Sequence, residues 1–85
     1  MSQIEKLKSK LLSRPKDMTY TEIKKLLNSL DFAEYNKGKT SGSRVAFYRE
    51  SDNLTIRIHK PHPGDIVKLY VVDQLIEYLT NIGEL

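Results

Sequence analysis

Apolar and polar positions alternate most clearly between Arg44 and His59. Val45 and Phe47 on one run, then Leu54, Ile56 and Ile58 on the next, recur at every second residue, the period of a strand with one buried face. The intervening Arg44, Ala46, Tyr48, Thr55, Arg57 and His59 therefore share the opposite face. Elsewhere the spacing is helical. Ile4, Leu7, Leu11 and Leu12 predict a first helix over about residues 2–13, which Pro15 helps to end by disfavouring helical backbone at Arg14. A second helix has a well-specified start. Thr19 and Glu22 stand at capping-box spacing, Met18 and Ile23 fit the flanking hydrophobic staple, and Ile23, Leu26, Leu27 and Leu30 form the stripe behind them. Phe32 and Tyr35 fall in a short, irregular first strand, followed by a flexible glycine-bearing turn over residues 37–42. After Gly64 the pattern becomes helical again, with Val72, Leu75, Leu79 and Ile82 on one stripe over about residues 70–82.

The order helix, helix, three strands, helix predicts an α+β fold in which a three-stranded antiparallel sheet is backed by helices on one face and left wet on the other. This α-α-β-β-β-α layout resembles the double-stranded-RNA-binding-domain type of fold. Hairpin register follows from matching apolar to apolar. With residues 50–53 as the loop, Arg49 meets Leu54, Phe47 meets Ile56 and Val45 meets Ile58. The same register sets Tyr48 across from Thr55, Ala46 across from Arg57 and Arg44 across from His59.

Charge sharpens the picture because of where it lies. The 85 residues carry 14 Lys and Arg against 11 Asp and Glu, a net charge of +3. Residues 37–68 hold Lys37, Lys39, Arg44, Arg49, Arg57, Lys60 and Lys68 against Glu50, Asp52 and Asp65, so the excess concentrates on the hairpin and its flanks. A polyanionic partner fits that concentration, as does a solvated basic face. The chain has no cysteine, which excludes disulfides and thiolate chemistry. With two histidines, His59 and His62, flanking a proline, a metal site is not expected. No apolar stretch approaches the ~20 residues of a membrane span, and the start lacks a signal-peptide core, so a cytoplasmic protein without membrane partners is expected. A chain this short makes one domain with a modest core, so any chemistry is expected in a shallow surface site.

Arg44 and Arg57, neighbours on one wet face with no acid between them, suit phosphate, since like charges bordering one another across a ladder otherwise repel. Tyr48 on that face can stack on a base or merely cover its neighbours. Lys37 and Lys39 in the glycine turn, Ser43, Lys60 and His62 are further candidate RNA contacts, although Lys37 and Lys39 are equally typical of any loop and His62 of any turn before proline. His59 fits either an acid/base group or an exposed strand-end histidine bonded to a backbone carbonyl. The glycine turn lacks the spacing and strand-to-helix context of a P-loop, which excludes nucleotide hydrolysis of that type.

The run from the second helix into Gly42 and Ser43, through the alternating hairpin, to His62-Pro63-Gly64 and a terminal helix resembles the HicA toxin family of bacterial toxin–antitoxin systems. The resemblance covers about residues 18–80, leaving the first helix, within 1–14, as an addition to a HicA-like domain over 18–82. It implies a small ribonuclease that cleaves messenger RNA without metal or other cofactor and is neutralised by a HicB-like antitoxin encoded beside it. The family signature is a Gly-Ser-His triplet opening the second strand, its histidine being catalytic. Here the triplet is Gly42-Ser43-Arg44. Cleavage through the RNA 2′-hydroxyl needs a base, an acid and positive charge on the phosphorane. Arginine is always protonated, so Arg44 supplies only the last. His59, across the ladder, is the candidate acid/base group, with Arg44 and Arg57 holding the phosphate. Two alternatives stand beside this one: a binding module of the same fold without cleavage, and a protein-interaction domain using the first and last helices.

Overall fold

A computed structural model describes residues 3–35, 44–61 and 64–85. The described elements are α1 (Gln3–Leu12), α2 (Tyr20–Ser29), β1 (Ala33–Tyr35), β2 (Arg44–Arg49), β3 (Leu54–His59) and α3 (Leu69–Asn81). The strands form one antiparallel sheet in the order β1-β2-β3. The fold is thus α+β with the expected element order. None of the described helices is long and apolar enough to cross a membrane.

Local chemistry accounts for where the helices begin and end. At the start of α2 the Glu22 amide donates to Thr19 Oγ1 at 3.1 Å, and the Thr19 amide donates to Glu22 Oε1 at 3.0 Å, a closed capping box. Met18 and Ile23 are both fully buried beneath it, as the staple requires. The carboxylate of Glu22 also accepts from Lys10 Nζ at 2.9 Å, tying the cap to α1. Beyond α2 and α3 the chain turns into the left-handed region at Asp31 (φ 71°) and Gly83 (φ 83°). The Phe32 amide then donates to the Leu27 carbonyl at 2.9 Å, and the Glu84 amide to the Leu79 carbonyl at 2.8 Å. Both ends are Schellman motifs, which satisfy carbonyls that the helix itself leaves open. Arg14 (φ 53°) ends α1 by the same reversal, and its guanidinium grips Asp73 of α3 at 2.6 and 2.9 Å.

The hairpin register is the one that the apolar alternation predicts: Arg44↔His59, Val45↔Ile58, Ala46↔Arg57, Phe47↔Ile56, Tyr48↔Thr55 and Arg49↔Leu54. On the helix-covered face, Val45, Phe47, Ile56 and Ile58 join Leu11, Ile23, Leu26, Leu27, Phe32, Val71, Val72, Leu75 and Leu79 in one buried cluster. All three helices therefore serve a single core. Leu12 departs from the expected α1 stripe and is exposed, while Leu11 takes the buried position.

Arg49, one of the cations counted in the basic excess of residues 37–68, does not lie on the open face; it sits on the Phe47 side of β2 and is buried. Its guanidinium lies 4.7 Å from the Phe32 ring centroid, donates to the Leu30 carbonyl at 3.1 Å, and pairs with Asp52 at 2.6 Å and Glu84 at 2.7 Å. These partners consume its charge. The hydrogen bonds from Arg49 to Asp52, then to Glu84, hold the guanidinium well above its ordinary pKa against the effect of burial. The arginine thereby locks the hairpin loop and the segment after α3 onto the core.

Candidate nucleic-acid interface

The face of the sheet away from the helices carries Ala33 and Tyr35 from β1, Arg44, Ala46 and Tyr48 from β2, and Thr55, Arg57 and His59 from β3. Strand alternation puts all of them on one side. Tyr35, Arg44, Arg57 and His59 are exposed. Among the described residues the face holds no carboxylate, and neither Arg44 nor Arg57 makes an ion pair. By contrast, the guanidiniums of Arg14 and Arg49 are both spent on acids elsewhere.

The edge of β3 shows how the site is held. Tyr78 Oη donates to the Thr55 carbonyl at 3.3 Å, and Gln74 Nε2 donates to the Arg57 carbonyl at 3.0 Å. The Tyr70 ring stands edge-on to the His59 ring, with centroids 6.4 Å apart. Residues 70, 74 and 78 thus meet residues 59, 57 and 55 in three rungs. Four helical residues rise ~6.0 Å and two strand residues ~6.7 Å, so an antiparallel helix and strand stay in step over this length. The carbonyls of Thr55 and Arg57 point outward to α3. In an antiparallel strand the amide and carbonyl of one residue face the same side, so Thr55, Arg57 and His59 form the non-hydrogen-bonded pairs of the β2–β3 ladder. Such pairs bring opposed Cα atoms to ~4.5 Å, and this is the close spacing at which Arg44 and His59 face each other.

The result is an open pocket of about 330 Å³ lined by Arg44, Arg57, Ile58, His59, Tyr70 and Gln74. Two guanidiniums and an imidazole line this open space. Chemically the pocket can bind an anion of phosphate type through the arginines and move a proton at His59. Farther along the same face the rings of Tyr35 and Tyr48 lie 6.3 Å apart, tilted by 47°. The Tyr48 hydroxyl donates to Asn53 Oδ1 at 2.5 Å, which fixes that half-buried ring.

The other candidate residues fall differently. Lys60 does not join the pocket; its ammonium lies 5.4 Å from the Tyr20 ring centroid, on the helix-covered side. There the Tyr20 hydroxyl donates to Glu34, whose other oxygen pairs with Lys24 at 3.5 Å. The hydrogen bond from Tyr20 holds the Glu34 carboxyl below its usual range against the opposing effect of burial, and Lys24 assists. Burial first, and then the same hydrogen bond, pushes the Tyr20 phenol up. Lys37, Lys39, Gly42, Ser43 and His62 lie outside the described residues. Tyr35, Tyr70 and Gln74 are the residues that sequence reasoning passed over. A signal for the last two existed in the i, i+4, i+8 spacing of Tyr70, Gln74 and Tyr78 beside the buried stripe of α3.

Models of known protein families, curated proteins and solved structures give no match to this chain.

Proposed function

We propose that the protein is an RNA-binding, metal-independent endoribonuclease of HicA-like type, acting in the cytoplasm on messenger RNA and restrained by a HicB-like antitoxin. The observation that carries this reading is the convergence of Arg44, Arg57 and His59 on one open pocket of the bare sheet face, with neither arginine paired to an acid among the described residues. A phosphodiester placed between the guanidiniums puts its flanking ribose beside the imidazole. Neutral His59 then takes the 2′-hydroxyl proton as the 2′-oxygen attacks phosphorus. The bond from phosphorus to the 5′-oxygen breaks, and that oxygen takes a proton from the imidazolium or from water. The products are a 2′,3′-cyclic phosphate and a 5′-hydroxyl. Arg44 and Arg57 stabilise the extra negative charge of the phosphorane between them.

A second reading has its own support. Arg44 stands where the HicA pattern has its histidine, and a guanidinium cannot accept a proton. A binding module of the same fold, holding RNA without cutting it, fits that replacement.

The deciding experiment incubates the protein with unstructured RNA in the presence of a chelator and maps the ends formed. Cyclic phosphate ends that disappear in His59→Ala, with RNA binding retained, support the nuclease. Cleavage by His59→Ala at the parent rate removes the assignment, and binding without any cleavage favours the second reading. Inducible expression with and without the neighbouring gene tests the partner: growth arrest that the neighbour relieves is expected.

A further inference from the structure

We infer that Tyr70 is the stacking surface for one nucleobase of the strand whose phosphate lies between Arg44 and Arg57; this deepens the RNA-binding reading and rests on it. The motivating feature is the open rung between α3 and β3. Tyr78 and Gln74 each spend a polar group on an outward carbonyl of β3. Tyr70, the next residue on that helical stripe, makes no hydrogen bond among the described residues and is 52 % exposed. Its ring instead forms the outer wall of the pocket, at an interplanar angle of 64° to the imidazole.

An aromatic wall beside paired cations is the arrangement that a nucleotide needs. The phosphate meets the guanidiniums, and the base finds a flat apolar partner that is tolerant of its identity, because every base has a π-face. The pocket, about 330 Å³, falls at the low end of ligand-sized cavities and suits one nucleotide unit rather than a longer stretch. A base can reach Tyr70 only after leaving its own stack, so the subsite selects unpaired RNA over duplex. The same contact would hold the ribose at a fixed distance from His59. Tyr70 is accordingly a positioning residue for the reaction proposed above.

The test compares two ligands of equal length, an unstructured labelled RNA and a fully abasic sugar–phosphate oligomer, by fluorescence anisotropy. Tyr70→Ala should weaken the RNA by ~5-fold to ~150-fold, the range for one lost base stack. It should leave the abasic oligomer unchanged and the salt dependence of RNA binding unaltered, since no ion contact is removed. Tyr70→Phe should bind as the parent does. Tyr70→Leu, which keeps apolar bulk without the π-face, should behave like Tyr70→Ala and shows that loss of packing is not the cause. Equal losses on both ligands, or no loss with RNA while an Arg44→Gln, Arg57→Gln double variant does weaken binding, overturns the Tyr70 inference alone. A parent chain that binds neither ligand at low salt overturns the RNA-binding reading and the inference together. Tight capture of a protein partner that Tyr70→Ala abolishes, without any RNA binding, would reassign the surface to protein recognition and sink both.

Discussion

The two unpaired guanidiniums of the pocket make a quantitative statement about salt. Each phosphate neutralised on a single strand contributes about −0.7 to the slope of log K against log salt concentration, because a condensed counterion is released. Replacing Arg44 and Arg57 by glutamine removes two such contacts, so the slope should become shallower by ~1.4. Between 50 and 200 mM salt one contact corresponds to ~2.6-fold in affinity and two to ~7-fold, well within reach of anisotropy titrations. Only the difference between parent and variant matters, so contacts made elsewhere on the chain cancel. Lys25, exposed on α2 away from the sheet face, supplies the control: Lys25→Gln should leave the slope unchanged. Stability should not confuse the result, since Arg44 and Arg57 are exposed and make no ion pair among the described residues. If the double variant keeps the parent slope, the arginines do not touch phosphate and the proposed site fails, whatever the protein binds.

Other expectations concern the scaffold. Thr19→Ala removes the side-chain half of the capping box and should cost about 1 kcal/mol, lowering the thermal midpoint by ~4–8 °C; an unchanged midpoint would show that the cap contributes nothing. Asp31→Gly relieves a left-handed non-glycine residue at the end of α2 and should raise stability by up to ~1 kcal/mol in urea unfolding, and a loss instead would mean that the aspartate side chain has an unrecognised role there. Glu22, Glu34, Asp52 and Asp73 all titrate below their ordinary values, so folding binds fewer protons than the unfolded chain does as the medium turns acid. Their stabilisation is complete above the unfolded carboxylate range of ~4 and is lost as pH falls through it and then through the lower folded values; urea midpoints that stay flat to pH ~3 would contradict this.

The hairpin was legible to the residue because a period of two allows few pairings that keep Val45, Phe47, Ile56 and Ile58 on one side. The burial of Arg49 was not legible in the same way, because a charge count over residues 37–68 cannot tell a cation on the open face from one closed in by Asp52 and Glu84. The sequence cue for the end of α3 is a glycine, Gly83, but α2 ends through the same motif with Asp31, a residue that enters left-handed backbone less readily and announces the turn less clearly. For the site, Arg44 opposite His59 followed from register alone. Tyr70 and Gln74 did not follow from register: the i, i+4, i+8 spacing with Tyr78 marks them as one stripe of α3, but which strand that stripe meets depends on how α3 lies against the sheet, a tertiary relation.

That tertiary relation also explains why the pocket sits where it does. β3 is an edge strand, and an edge with free carbonyls invites pairing with another chain. Tyr78 and Gln74 occupy two of those carbonyls, so most of the edge is closed by side chains from α3 rather than by another strand. At the third rung the facing residue is Tyr70, whose ring stands edge-on to His59 and which makes no hydrogen bond to the strand among the described residues. The opening coincides with the ladder pair Arg44↔His59. α3 is anchored by Val71, Val72, Leu75 and Leu79, all buried, so the position of Tyr70 and the alignment of the His59 end of β3 are set by the same packed interface. The pocket is thereby tied to the core: a helix shifted along the strand by one turn would place Tyr70 beside Arg57 in place of Gln74 and take the aromatic wall away from His59.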